Sequence, residues 1–374
     1  MKTIGIVGGG QLGRMLTIEA KKMGFHVIVT DPTPQSPAGQ VADEQILAGY
    51  KDEKGIRELA QKSDFITFEI ELANDKVLEE LIDQGKSVNP NPKTLRIIRD
   101  KLKQKEFLKT RKIPTAEFVE VKTKEDIVNA GKDFGFPFLL KARTDAYDGR
   151  GNALISSAKD IERGMKKLEA RELYVERFVP FVKELAIMVA RSTTGEIKTY
   201  PVVETHHKNN ICDTVIIPAP VEKAVTVKAQ ALAEKVMQEL QGAGVFGIEM
   251  FLTKEDELFV NEIAPRVHNS GHYTIEACVT SQFEQHIRAI TGMTLGDTSL
   301  KVPASVMINI LGERDGEAQV EGMEEALSLP GVSVHMYGKK ETRVERKMGH
   351  ITVIGDTIAE AIQRAQKARK YITI

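Results

Sequence analysis

Two acidic residues, Glu249 and Glu262, lie in GIEMFLTKEDELFVNEIAPR, where apolar runs flank residues 254–257. A four-residue hairpin loop there pairs Thr253 with Leu258, and the same register carried back along the strands sets Glu249 opposite Glu262. Like charges facing each other across a sheet destabilise it, and burial raises the cost, so a cation is needed between them. Mg²⁺, which accepts one or two carboxylates together with phosphate oxygens and water, suits such a pair. The plain alternatives are a slipped register or one side chain splayed into solvent. Asn261 adds a polar group at the same edge.

A second stretch, KARTDAYDGRGN, takes a strand ending at Lys141 into a loop with Tyr147, Asp148, Gly149, Arg150 and Gly151. Backbone N–H groups of glycine-containing loops cradle phosphate oxygens, and a lysine on the preceding strand neutralises their charge. An Asp-Gly pair also makes ordinary hairpin turns. In ELYVERFVPFVKELAIMVA, Glu176 and Arg177 interrupt an apolar strand and Glu184 precedes the next one. Exposed strand backbone can pair with adenine, and a nearby carboxylate suits ribose hydroxyls. Near the amino terminus Gly8, Gly10 and Gly13 satisfy G-x-G-x-x-G between a strand and a helix, and Asp31 follows the next strand. Such a turn accepts phosphate or carboxylate generally. A nicotinamide cofactor, a different anionic ligand and a purely structural turn all remain open for it.

The elements that must position these groups follow from periodicity. TIGIVGG, QLGRMLTIEAKKMG, FHVIVTD and SDFITFEIE alternate strand-length apolar runs with amphipathic stretches, which predicts an α/β unit with a parallel sheet over residues 1–100. A prolyl-bounded helical stretch follows, with nine basic residues against two acidic ones between Lys93 and Lys112. Its bland reading is a solvated connector helix. Beyond Pro114, FPFLLKAR, GNALIS, ELYVERFV and KELAIMVARS predict antiparallel sheet with interspersed helices over 101–295. SVMINILG, GVSVHMYG and HITVIG predict three strands of a small β-rich unit over 296–374, closed by a basic helix.

Length and composition agree. At roughly 150 residues per domain, 374 residues make two to three domains. Lys plus Arg (52) against Asp plus Glu (53) leaves −1, which gives no overall field for nucleic acid or an anionic membrane. Two cysteines, Cys212 and Cys278, make no disulfide framework, and the start MKTIGIVGGG is too short an apolar run for a signal peptide. No uninterrupted apolar run reaches membrane-spanning length, so a cytoplasmic protein is expected.

The order of Lys141, the glycine loop, the connector from Glu176 to Val179, Glu184 and the Glu249/Glu262 pair resembles the ATP-grasp ligases. NEIAPRVHNSGHYT, GGGQLGRM, AYDGRGN, SVMINILG and ERKMGH narrow the resemblance to the 5-(carboxyamino)imidazole ribonucleotide synthase family. That resemblance implies a pre-ATP-grasp domain, a central ATP-grasp domain, a small carboxyl-terminal domain and a homodimer. It also implies ATP- and bicarbonate-dependent carboxylation of aminoimidazole ribonucleotide through carboxyphosphate. Many ATP-grasp enzymes read Asn-Glu-x-Asn at the metal strand; Ala264 in the last position removes one ligand. At Lys101 relatives also place arginine, whose bidentate fork lysine cannot reproduce.

Carried onto this sequence, the resemblance implies that Lys101, Lys141 and Mg²⁺ on Glu249 and Glu262 neutralise the triphosphate. Glu176, Arg177, Phe178 and Val179 would hold adenine, Glu184 the ribose, and His207 and Asn261 would position the nucleotide beneath a lid from Tyr147 to Gly151. Gly10, Gln11, Leu12 and Glu69 would face the imidazole nucleotide, with Tyr147, Asp148 and Arg150 reaching it from the lid and Arg346 and Lys347 meeting its phosphate. Arg266 would stabilise the developing anion, His268 would orient it or move a proton, and Lys347 is counted with them as catalytic. A structural histidine is the plain alternative for His268. His268 and His272 make a poor zinc pair because Gly271 interrupts a helix. His26 and Cys278 read as core, His335 has no partner in view, and Cys212 has no base beside it. The rival readings are a nicotinamide oxidoreductase, a formate-dependent ribonucleotide transformylase and a non-catalytic nucleotide sensor.

Overall fold

The computed structural model describes residues 1–144 and 151–374. Strands β1 (Thr3–Val7), β2 (His26–Thr30), β3 (Glu44–Ile46), β4 (Phe65–Phe68) and β5 (Ser87–Val88) form a parallel sheet in the order β3-β2-β1-β4-β5. Helices α1 (Gln11–Lys22), α2 (Glu53–Lys62) and α3 (Asp75–Asp83) make the crossovers. The strands are short and apolar because helices cover them, and the ligand crevice of such a sheet lies at the carboxyl ends of its strands. Gly8 follows β1 and Glu69 follows β4, so both lie at that end.

The basic stretch after this sheet is two helices, α4 (Pro92–Arg99) and α5 (Lys101–Thr110), rather than one. Asp100 breaks it: its backbone is extended, and its carboxylate accepts from the Leu102 and Lys103 N–H groups to cap α5. The solvated-connector reading also fails. Arg96 and Arg99 pair with Asp75 on α3, and Lys101 and Lys105 reach carboxylates of the central unit.

The central unit contains two sheets. Strands β6 (Phe118–Val121), β7 (Phe138–Ala142), β8 (Asn152–Ile155) and β9 (Leu173–Arg177) form an antiparallel sheet in the order β6-β9-β7-β8, covered by α6 (Lys124–Phe134) and α7 (Ile161–Lys167). The larger sheet is built from β10 (Phe181–Arg191), β11 (Ile197–Thr199), β12 (Val203–Lys208), β13 (Ile211–Ile217), β14 (Gly244–Thr253) and β15 (Leu258–Ala264). Helices α8 (Lys223–Leu240), α9 (Thr274–Ala277) and α10 (Gln282–Thr291) accompany it. Three carboxyl-terminal strands, β16 (Ala304–Leu311), β18 (Val332–Met336) and β20 (Lys347–Gly355), continue that sheet through β13–β16 pairing, giving the order β15-β14-β10-β12-β13-β16-β20-β18. The small pair β17 (Gly316–Glu317) and β19 (Glu341–Thr342) stands apart, and α11 (Met323–Leu327) and α12 (Ile358–Tyr371) pack on the terminal strands.

The third unit therefore shares its sheet with the second. One apolar cluster also runs from Ile4, Leu16 and Val29 through Met188, Phe283 and Ile287 to Met307 and Tyr337, joining all three units. His286 on α10 ties the first sheet to the second, with Nε2 2.9 Å from Thr67 Oγ1 and Nδ1 accepting from the Val245 N–H (3.1 Å). Burial pushes its pKa down to about 3, so the ring is neutral.

Candidate active site

Residues from all three units line one cleft of about 1050 Å³: Gln11, Leu12 and Glu69 from the first, Lys101, Lys141 and Glu262 from the second, and Lys347 from the third. Its wall mixes cations with carboxylates, the composition needed by a polyanionic ligand and a cation together.

The carboxylate pair sits in this wall. Glu249 and Glu262 are register partners on β14 and β15, as expected, but the expected hairpin is corrected in two places. Leu252, not Thr253, faces Leu258, so the loop is one residue longer. A bulge at Asn261 then shifts the register back, and the two differences cancel at Glu249. Burial raises the pKa of Glu262, but the Lys101 ammonium paired with it outweighs burial and holds it below the ordinary carboxylate range. Burial, with the facing Glu262 charge, pushes the Glu249 carboxyl up to about 7. This uncompensated carboxyl beside an ionised one fits a divalent cation, which would relieve the repulsion. Among the described residues no group of three or more His, Cys, Asp or Glu converges as metal ligands, so two carboxylates would leave the remaining positions to water and ligand oxygens.

The nucleotide candidates divide. Lys101, Lys141, Gly151, Phe178, Glu184, His207 and Asn261 line the cleft. Lys141 stands at 3.2 Å from Glu176 Oε1, and Lys105, which the sequence reading omitted, stands at 2.8 Å from Glu176 Oε2. Glu176 is therefore a buried counter-ion, 1% exposed. Its pKa, which burial would raise, is held low by these two lysines. His207 Nδ1 pairs with Glu184 Oε2; burial disfavours the charged ring, but this partner raises its pKa. Arg177 pairs with Glu117 (2.9 Å), its N–H donates to the Glu117 carbonyl, and neither it nor Val179 belongs to the cleft wall. Tyr147, Asp148, Gly149 and Arg150 lie outside the described residues.

The glycine turn is already occupied by an anion of the chain itself. Glu69 Oε1 accepts from the Gly10 N–H and Oε2 from the Gly13 N–H (2.6 Å). Gly8 has φ +106°, and a Cβ there would lie 2.6 Å from Glu69 Cγ, so only glycine admits the carboxylate. Asp31 accepts from the Gly9 N–H of the glycine turn (3.2 Å) and from the Thr33 N–H of its own loop (2.8 Å). Of the three readings of this turn, a dinucleotide pyrophosphate on the Gly10 and Gly13 N–H groups is disfavoured, because Glu69 already takes both. Gln11, Leu12 and Glu69 line the cleft; the Gly10 N–H is turned to Glu69.

Arg266 and His268 both line the cleft. Arg266 pairs with Glu71 (2.6 Å), a residue missed from sequence because it comes from the first unit. His268 Nδ1 faces Ser270 Oγ (2.9 Å) and the Ser270 N–H (3.4 Å), which assigns the ring hydrogen to Nε2, 3.8 Å from Glu249 Oε1. Burial, then the Arg266 and Lys347 charges, holds its pKa well below the usual value, so the ring is neutral. His272 instead bonds Gln282 through Nδ1 (3.1 Å), and the two histidines do not form a zinc pair. Lys347 lines the cleft; Arg346 donates to the Glu341 carbonyl (2.7 Å) and does not. Lys339, also missed, donates to the Lys347 carbonyl (2.6 Å), and burial, with the charges of Arg346 and Lys347, pushes it down to about 8.

The remaining single-residue readings are mixed. His26 is half-exposed beside Asp43 rather than core. His335 has a partner, Glu276 (2.6 Å), and stacks on His350. Both cysteines are buried, and burial pushes each thiol up to about 12.

Three family models match consecutive parts of the chain: a ribonucleotide synthetase preATP-grasp domain (residues 1–99), an ATP-grasp domain (106–283) and a phosphoribosylaminoimidazole carboxylase C-terminal domain (305–364). The N5-carboxyaminoimidazole ribonucleotide synthase of Bacillus subtilis is 42% identical over 361 residues, covering 96% of this chain and 93% of that protein. The phosphoribosylaminoimidazole carboxylase of Ogataea methanolica is 44% identical over 371 residues, covering 97% of this chain but 68% of that longer protein. The crystal structure of N5-carboxyaminoimidazole ribonucleotide synthetase from Thermotoga maritima superposes with a TM-score of 0.92 at 51% identity, covering 100% of this chain and 99% of that one. The Aspergillus clavatus synthase in complex with ADP and 5-aminoimidazole ribonucleotide gives 0.91 at 37% identity, covering 99% and 98%. With its three matched domains in order and this identity over nearly its whole length, the chain belongs to the N5-carboxyaminoimidazole ribonucleotide synthase family of ATP-grasp proteins.

Proposed function

We propose that the protein carboxylates 5-aminoimidazole ribonucleotide at its exocyclic amine, using ATP and bicarbonate and releasing ADP and phosphate, as a step of purine biosynthesis. A bicarbonate oxygen attacks the γ-phosphorus of ATP, ADP leaves, and the amine then attacks the carbonyl carbon of carboxyphosphate, expelling phosphate and a proton. The observation that carries the reading is the facing pair Glu249 and Glu262, flanked by Lys101 and Lys141, in a cleft lined by all three units. Phosphoryl transfer needs positioning and charge neutralisation more than covalent help from protein, and this wall offers both.

In this reading Glu249 and Glu262 hold a divalent cation with ATP, Mg²⁺ by its preference for carboxylate and phosphate oxygen. That ion supplies charge neutralisation at the phosphates. Lys101 and Lys141 face the phosphates, the connector after Glu176 meets adenine, and Glu184 with His207 meets the ribose. Arg266 stabilises the carboxyphosphate anion. Neutral His268 donates its Nε2–H to orient that anion, a role favoured over proton abstraction because its ring hydrogen already faces the cleft. Glu69, Gln11 and Leu12 face the imidazole nucleotide, whose phosphate meets Lys347, backed by Lys339; Arg346, turned to the Glu341 carbonyl outside the cleft wall, is not assigned to it. Tyr147, Asp148 and Arg150, which lie outside the described residues, are assigned to the imidazole nucleotide from the sequence alone. The same proposal includes domain boundaries near residues 100 and 295, a homodimer and a cytoplasmic setting. No helix of the described residues is long and apolar enough to cross a membrane.

The test follows ADP release with aminoimidazole ribonucleotide, with and without bicarbonate. Turnover that requires bicarbonate is expected. Turnover indifferent to bicarbonate, turnover with formate instead, or ATP binding without turnover would each contradict the proposal.

A further inference from the structure

Helix α5 presents Lys101 and Lys105, one turn apart, to two different carboxylates. Lys101 reaches Glu262, while Lys105 goes inward to Glu176, which begins the connector assigned to adenine. Lys105 is only 2% exposed; its ammonium donates to Thr115 Oγ1 (2.8 Å) and the Val260 carbonyl (3.4 Å) and forms an ion pair with Glu176 Oε2 at 2.8 Å. A single buried carboxylate is thus shared by two lysines on opposite oxygens, Lys105 on Oε2 and the cleft lysine Lys141 on Oε1. Beneath Lys141 lies the Tyr174 ring, 6.0 Å from its ammonium; the charge of Glu262 also reaches the lysine, but Glu262 is paired with Lys101, and among the described residues no second carboxylate pairs with Lys141.

The charge balance of this triad decides what Lys141 can do. Lys105 and Lys141 share Glu176 while Lys101 is paired with Glu262, so among the described residues of this wall one positive charge is left over. Without Lys105, Glu176 would neutralise Lys141 alone, and in a buried site that ion pair would compete strongly with a phosphate for the same ammonium. We propose that Lys105 is a positioning residue for the nucleotide site: by holding Glu176 on the oxygen opposite Lys141, it leaves the Lys141 charge available to the phosphates of ATP. The inference rests on the reading that ATP lies in this cleft, and it assigns Lys105 no contact with the reacting atoms.

The experiment compares wild-type full-length protein with Lys105→Met and with the charge-balanced pair Lys105→Met/Glu176→Gln, following ADP release at varied ATP. Lys105→Met should raise KM for ATP by about tenfold or more and change kcat by less than about threefold, the pattern of lost binding rather than lost chemistry. The double variant, which removes the competing anion, should return KM to within about threefold of wild type. An unchanged KM in the single variant, a loss confined to kcat, or a double variant as impaired as the single one would overturn the proposal. If Lys105→Met does not fold, the double variant is compared with Glu176→Gln alone. Removing the stranded ammonium should then raise the melting temperature and keep KM for ATP low; a double variant no better in either respect would equally overturn it. Wild-type protein that neither binds nor hydrolyses MgATP would instead overturn the reading of the cleft itself.

Discussion

Glu249 and Glu262 face each other across one hairpin with their pKa values driven apart: Lys101 holds Glu262 below the ordinary carboxylate range, whereas burial and the facing charge push Glu249 up to about 7. Two carboxylates whose surroundings drive them apart in this way form a site that waits for a second positive charge.

The first prediction concerns pH. Below about 7 the metal-free Glu249 carboxyl is protonated and must lose its proton to bind a cation. Half-saturating Mg²⁺, measured by calorimetric titration with ATP analogue present, should rise by up to about tenfold per pH unit below 7 and level off above it. A value constant between pH 6 and 8 would contradict the assignment. Stability moves in the same sense. The folded pKa lies above the unfolded one, so metal-free protein binds the extra proton and loses stability progressively as pH rises from about 4.5 to 7. Glu249→Gln should therefore raise the metal-free melting temperature more at pH 8 than at pH 5.5.

Replacing the other partner tests chemistry. Glu262→Gln removes a metal ligand and leaves Lys101 without its counter-charge. Turnover should fall by about 100-fold or more, with the protein still folded by circular dichroism. Near-normal turnover would remove the metal role from this residue.

How much of this was legible in the sequence varied by element. The Glu249/Glu262 pairing is local to one hairpin, and its alternating pattern held even though the loop length and the bulge at Asn261 departed from expectation in compensating ways. The parallel sheet and the strands of the third unit were legible for the same reason, since apolar periodicity is a short-range signal. Asp100 was harder: only its extended backbone and its cap on α5 separate two helices inside a run that reads as one. Contacts between distant segments left no periodic trace. Glu69 closing the glycine turn, Lys105 on Glu176, and Glu71 on Arg266 each join residues from separate elements, and no spacing rule links them.

The glycine turn supplies the third prediction. Glu69→Ala leaves the Gly10 and Gly13 N–H groups without their carboxylate, at a cost of about 1–3 kcal/mol. Its melting temperature should fall by several degrees and should recover with added sulfate more than wild type gains, because the vacated turn can then take an outside anion. Equal response of both proteins to sulfate would contradict the view that Glu69 fills an anion site.

Lys339 gives the fourth. Its ammonium is pushed down to about 8 by burial and by neighbouring cations, so metal-free and ligand-free protein loses that charge as pH rises through this value. If it meets the nucleotide phosphate, KM for aminoimidazole ribonucleotide should climb between pH 7 and 9 in wild type. Lys339→Met should have a KM raised at pH 7 and flat across the same range. Identical pH profiles for the two proteins would remove Lys339 from the substrate site.

The central claim, that ATP energy passes to bicarbonate before the amine attacks, is tested most directly by isotope transfer. Turnover in ¹⁸O-labelled bicarbonate should place one bicarbonate oxygen in each phosphate released, read by mass spectrometry, because the oxygen bridging carbon and phosphorus leaves with phosphate. Phosphate formed at the full rate without that label would contradict the account.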